Sequence, residues 1–94
     1  MTIGILYLHL FFESCKSLKE KRSHLKPFLY RIHREFNVSV SEMGLQDKWT
    51  ESIVAISLIC NDQKITQSEL NAVILFTKNH FRNIEILENH IEIL

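Results

Sequence analysis

The sequence predicts an α+β sandwich of element order β-α-β-β-α-β, and three observations predict it. Two long apolar runs, Thr2 to Phe12 and Ile53 to Cys60, have the length and composition of central strands. Each run is followed by a segment of helical apolar spacing. Each of those is followed in turn by a shorter or less regular alternating segment. Two right-handed crossovers around a central hairpin then give the ferredoxin-like arrangement, an antiparallel sheet in order 4-1-3-2 with both helices on one face. With 94 residues and no linker or low-complexity stretch, the chain reads as a single domain, 1–94.

In the first strand Leu6, Leu8, Leu10 and Phe12 point one way and Ile5, Tyr7, His9 and Phe11 the other. Both sets are largely apolar, which predicts a strand covered on both faces. Ser17-Leu18-Lys19-Glu20 has the form of a capping box, so a helix starts after Ser17 and runs to about Phe36. Its buried stripe is Leu18, Leu25, Phe28, Leu29, Ile32 and Phe36. Pro27 removes one backbone donor and predicts a kink in a single helix, because the stripe continues in phase beyond it. Val38 and Val40 alternate with Ser39 and Ser41, as a half-buried edge strand does, and 44–49 make a turn. Thr66 or Ser68 is the expected cap of a second helix reaching about Phe81, with Leu70, Val73, Ile74, Thr77 and Phe81 inward. Ile84 to Ile93 is a last strand whose imperfect alternation predicts a bulge.

These residues resemble the YlxP-like family of bacterial proteins, a domain of unknown function. The resemblance is carried by Ser17-Leu18-Lys19-Glu20-Lys21-Arg22, by Phe36-Asn37-Val38-Ser39-Val40-Ser41-Glu42, by Gln46-Asp47-x-Trp49 and by Asn61-Asp62, in that order along the chain. It implies a ferredoxin-like fold and no known reaction. Genes of the family often sit beside genes for transcription, translation initiation and ribosome maturation, which implies an RNA-linked role by association alone. The chain departs from the family's pattern at Phe11-Phe12-Glu13-Ser14-Cys15 and in the His and Asn residues near its end.

Charge is the most informative feature for function. The eleven basic and eleven acidic side chains cancel. Yet residues 16–34 hold seven of the bases, Lys16, Lys19, Lys21, Arg22, Lys26, Arg31 and Arg34, against the single acid Glu20. On a helical wheel Lys19, Arg22, Lys26 and His33 form one stripe with Arg34 on its flank. A row of cations at helical spacing matches phosphates spaced along a nucleic-acid backbone. The plainer reading is a solvated face whose long stems cover apolar neighbours. Lys16, Lys19, Lys21, Arg22, Lys26, His33 and Arg34 are therefore the candidate nucleic-acid contacts, with RNA or a ribosomal subunit as the expected partner. Basic residues in a first helical turn also oppose the helix dipole, so capping does not explain them.

Ile5, Tyr7, His9 and Phe11 share one face of a central strand and form, with Trp49, the candidate partner face. Outward aromatics can stack bases, but the strand-three residues Ile53, Ala55, Ser57 and Ile59 lack the aromatic consensus of RNA-recognition sheets. The preferred reading is a homo-oligomer interface. Asp47 is expected to fix a turn through its side chain, Trp49 to fold back over the core or anchor a partner, and Asp62 to cap the second helix.

The remaining chemistry is sparse. His9, His24, His33, His80 and His90 lack metal-ligand spacing, and no glycine-rich phosphate loop or nucleophile elbow occurs. No catalytic residue, cofactor or metal is expected. Cys15, beside Lys16 and before a helix, is the one thiol whose setting predicts a depressed pKa. Two cysteines without a CxxC, and no apolar run of roughly 18–20 residues, are expected of a reduced cytoplasmic protein without a membrane span.

Overall fold

The computed structural model describes residues 1–94, in six elements: β1 (Thr2–Phe12), α1 (Leu18–Glu35), β2 (Ser39–Gly44), β3 (Glu51–Cys60), α2 (Gln63–His80) and β4 (Ile84–Ile93). The strands form one antiparallel sheet in order β2-β3-β1-β4, which read from the other edge is 4-1-3-2. The apolar content of β1 and β3 places them in the centre, where each has a neighbour on both sides.

The alternation of β1 sets the core. Leu6, Leu8, Leu10 and Phe12 are fully buried, as are Val54 and Ile56 on β3. Leu25, Phe28 and Ile32 of α1 and Leu70 and Val73 of α2 complete the same cluster. Each such side chain contributes about 1.5–3 kcal/mol through burial. Gly4 lies on this face too. A Cβ built there would collide with Thr66 Cγ2 and stand 2.9 Å from Leu70 Cδ1, so the missing side chain lets α2 approach the sheet. The α1–α2 seam is closed by edge-to-face rings, Phe28 with Phe81 at 5.0 Å and Phe36 with Phe76 at 5.5 Å, with Arg31 over both Phe76 and Phe81.

Local signals set most of the boundaries. Ser17 Oγ accepts from the Glu20 amide at 3.0 Å, and Glu20 Oε1 returns to the Lys16 amide at 3.2 Å. The helix that follows is continuous through Pro27 and is capped by Phe36, whose amide donates to Ile32 O. The register of β1 with β4 shifts between His9 and Leu10, which leaves Leu87 as the extra residue of the expected bulge. A second shift, between Glu42 and Gly44, leaves Met43 unpaired on β2.

Two expectations are corrected. Helix α2 begins at Gln63, earlier than a cap at Thr66 or Ser68 would allow, because Asp62 caps it, the role also expected of that residue, and accepts from the Lys64 and Ile65 amides at 2.8 and 3.1 Å. Thr66 instead is buried and donates its hydroxyl to Asp62 O at 2.9 Å. And β1 is buried on one face only. Both helices pack on the even-numbered side, while Ile5, His9 and Phe11 stay half-buried and Tyr7 exposed on an open sheet face. The double apolar set of β1 thus reflects one packed face and one uncovered one. No helix is long and apolar enough to cross a membrane.

Candidate nucleic-acid interface

The seven bases of residues 16–34 separate into three kinds once the helix is packed. Lys16, Lys19, Arg22, Lys26 and Arg34 are exposed, and none has a carboxylate within ion-pair distance. Arg31 lies over the Phe76 and Phe81 rings, 5.2 and 5.6 Å from their centroids. Lys21 is 1% exposed. His33 sits on the exposed stripe as expected, and its Nδ1 donates to Val38 O at 2.8 Å, tying the end of α1 to the entry of β2.

Lys21 is therefore withdrawn from the phosphate-contacting set. It lies four residues before Leu25 and seven before Phe28, inside the apolar stripe, and helical geometry carries it under the β2–β3 loop. Its ammonium donates to the carbonyls of Leu45 at 2.9 Å, Lys48 at 2.8 Å and Glu51 at 2.8 Å, with Gln46 O at 3.5 Å. Glu42 Oε2 lies 3.0 Å away and also accepts from Ser52 Oγ at 2.7 Å. A buried ammonium is tolerated only when its donors are satisfied and its charge is paired, and both conditions hold here.

This lysine governs the loop of residues 45–50. Leu45 has φ 58°, in the left-handed region, and Lys48 N donates to Leu45 O at 3.0 Å to close a turn. Asp47 makes no side-chain hydrogen bond, so it does not fix the turn as the sequence predicts; Lys21 does so from outside the loop. Trp49 is not folded over the core either, being 54% exposed. Composition assigned Lys21 to the basic cluster, whereas its phase with Leu25 and Phe28 is the signal that finds its real position.

The open sheet face has a different character. Cross-strand register places His90 beside Tyr7, Glu88 beside His9 and Glu92 beside Ile5. The Tyr7 and His90 rings stack at 6.2 Å. His9 Nε2 donates to Glu51 Oε1 at 2.7 Å, and Lys48 Nζ to Glu51 Oε2 at 3.2 Å. Those two hydrogen bonds, His9 first, hold the Glu51 carboxyl below the usual carboxylate range. Along β4 the outward Glu85, Glu88 and Glu92 give this face an acidic rim. The sequence-predicted partner residues Ile5, Tyr7, His9 and Phe11 do share one face; Trp49 belongs to the loop pinned by Lys21.

Cys15 is corrected in direction. Burial raises its pKa and nearby Glu20 adds to the shift, while Lys21 opposes both. The group is a packed thiol rather than an activated thiolate. No group of three or more His, Cys, Asp or Glu is placed to hold a metal ion.

Comparison with known proteins decides the family. The model of a protein family of unknown function, DUF503, matches residues 3–91. The chain belongs to the DUF503 family. The uncharacterised protein YlxP of Bacillus subtilis (strain 168) is 43% identical over 60 residues, which cover 64% of this DUF503 chain and 65% of YlxP. The match thus spans just under two thirds of that relative's length. Among solved structures, the de novo designed protein Foldit4 superimposes with a TM-score of 0.54 at 16% identity, covering 100% of this chain and 97% of that one. A second designed protein, LFR1 1 with ferredoxin fold, has a TM-score of 0.53 at 11% identity and coverages of 100% and 83%. At these identities the likeness concerns the fold alone, and it agrees with the ferredoxin-like order of this DUF503 chain.

Proposed function

We propose that this DUF503 protein is a binding module that contacts RNA, or a ribonucleoprotein such as a ribosomal subunit, through the cations of α1. The observation that carries this reading is that Lys16, Lys19, Arg22, Lys26 and Arg34 are exposed without an acidic partner in a chain of zero net charge. Surface cations that served only solubility or stability would be interspersed with acids, as they are on most helices. An unneutralised row is what counterion release at a phosphate backbone exploits. Lys21 drops out of the set without weakening it, because its charge never reached the surface.

An electrostatic interface makes a quantitative demand. Affinity for a single strand falls with salt by a log–log slope of roughly −0.7 per phosphate neutralised, so about three contacts give a slope near −2 by fluorescence anisotropy. The combined Lys19→Glu, Arg22→Glu and Lys26→Glu variant keeps its fold, since all three side chains are exposed, and loses most of the binding. Lys78→Glu on α2 changes little. Co-sedimentation of the triple variant with ribosomal particles at the wild-type level would reduce the row to a solvated face.

A second reading is favoured by a separate observation, the uncovered sheet face. Tyr7 is 37% exposed and Ile59 70% on a surface that also carries Ile5, Phe11 and Ile53. A second copy of the chain would cover it, making the protein a homo-oligomer. The acidic rim of β4 argues against nucleic acid on this side, so the two readings use different faces and are compatible. In the alternative function the oligomer is a protein-interaction or regulatory domain, and the α1 cations meet an acidic protein.

A further inference from the structure

The β2–β3 loop is held more firmly than a surface turn requires. Lys21 reaches it from the first turn of α1 and binds the carbonyl immediately before Trp49, that of Lys48, and the carbonyl two residues after it, that of Glu51, both at 2.8 Å. Between them, Thr50 O accepts from the Phe12 amide at 2.7 Å. The backbone of Trp49 is thus fixed on both sides, yet its side chain is 54% exposed. Burying an ammonium carries a large desolvation cost, offset here by the loop carbonyls and Glu42, so the loop is tied to α1 by a group that a simple surface turn does without. Here the product of that arrangement is one large aromatic presented to solvent beside the first turn of a helix whose cations are unpaired.

We propose that Trp49 is a stacking platform for an unpaired base of single-stranded nucleic acid, whose phosphates run over the cations of α1. This deepens the RNA reading above and rests on it. Proteins that bind single strands combine a basic track with an aromatic side chain, because every base offers a flat π face whatever its identity. The ligand class is therefore a single strand bound with little sequence preference, rather than a duplex. An acidic peptide would satisfy the cations but offers the indole no regular planar partner. Of the carboxylates nearby, Glu51 is held by His9 and Lys48, and Glu20 by the Lys16 amide. Asp47 is exposed and unpaired at the same tip, where it opposes an incoming phosphate.

Trp49 is the single tryptophan of the chain, so its own fluorescence reports the contact. A fluorescein-labelled twelve-nucleotide oligouridylate is the anisotropy probe, and the unlabelled strand serves for tryptophan quenching. Binding should quench Trp49. Trp49→Ala should weaken affinity roughly 5- to 150-fold while leaving the salt slope unchanged, and Trp49→Phe should retain most of it. Asp47→Asn should tighten binding. Binding without quenching, with Trp49→Ala equal to wild type and a normal salt slope, overturns the stacking platform and leaves the phosphate reading standing. No binding to the strand at low salt overturns both. Stronger binding and quenching with a polyglutamate peptide than with the oligonucleotide overturns the ligand class in favour of an acidic protein.

Discussion

Lys21 holds its ammonium among four loop carbonyls and the Glu42 carboxylate. By composition it belongs with Lys19 and Arg22, but by phase it belongs with Leu25 and Phe28, and burial followed phase. Removing its charge while keeping its stem should leave Glu42 and the loop carbonyls without their donor. Lys21→Met should therefore destabilise the protein by about 3–5 kcal/mol in urea denaturation, as the loss of one partner of a buried ion pair does. Lys26→Met, on the exposed side of the same helix, should stay within about 0.5 kcal/mol of wild type. Equal stability of the two variants would mean that the five oxygens around Nζ contribute no net energy. The same contrast of setting against type explains Cys15. Its neighbour Lys16 suggested activation, but burial acts in the opposite direction and is the larger effect.

At the level of elements, caps and close approaches decided what periodicity left open. Asp62 starts α2 because an aspartate can accept two amide hydrogens at once, and the first turn it adds brings Thr66 onto the sheet at Gly4. A side chain at Gly4 would meet Thr66 Cγ2 and Leu70 Cδ1 closer than van der Waals contact allows. Gly4→Ala should cost about 1–3 kcal/mol in thermal or urea unfolding, the usual penalty for overfilling a packed seam. Gly44, whose Cβ would stand 3.3 Å from Ile53, should accept alanine at a smaller cost. If Gly4→Ala is the milder of the two, the α2–sheet seam is less tightly packed than these distances imply. The bulges at Leu87 and Met43 fall on the two edge strands, where an extra residue interrupts an exposed row of backbone donors and acceptors.

The whole molecule is polarised, with cations along α1 on the helix side of the sheet and carboxylates along β4 on the open side, where they border an apolar band. That band sets the expectation for assembly. Tyr7→Glu places a charge at its centre and should yield a monomer by sedimentation equilibrium where the wild type associates. A wild type that stays monomeric at high concentration would show that the face is left uncovered and would remove the homo-oligomer reading. RNA binding through α1 should be unaffected by Tyr7→Glu, since the two surfaces lie on opposite sides of the sheet.

The sequence alone determined the element order, the central place of β1 and β3, the span of α1 from Ser17 to Phe36 and the bulge in β4. Those features follow from local chemistry: side-chain period, capping oxygens and β-branched content act over a few residues and need no distant partner. It also located the concentration of positive charge. Only the tertiary structure decided which of those charges are free. Lys21 is satisfied by carbonyls 24 to 30 residues away, a relation no local pattern encodes. The same contacts convert the 45–50 segment from a turn expected to be fixed by Asp47 into a rigid mount for Trp49. The open face of β1 was decided in the same way. Leu6 and Tyr7 belong to sets that are both largely apolar, and the side on which both helices pack makes the first the core and leaves the second at the surface.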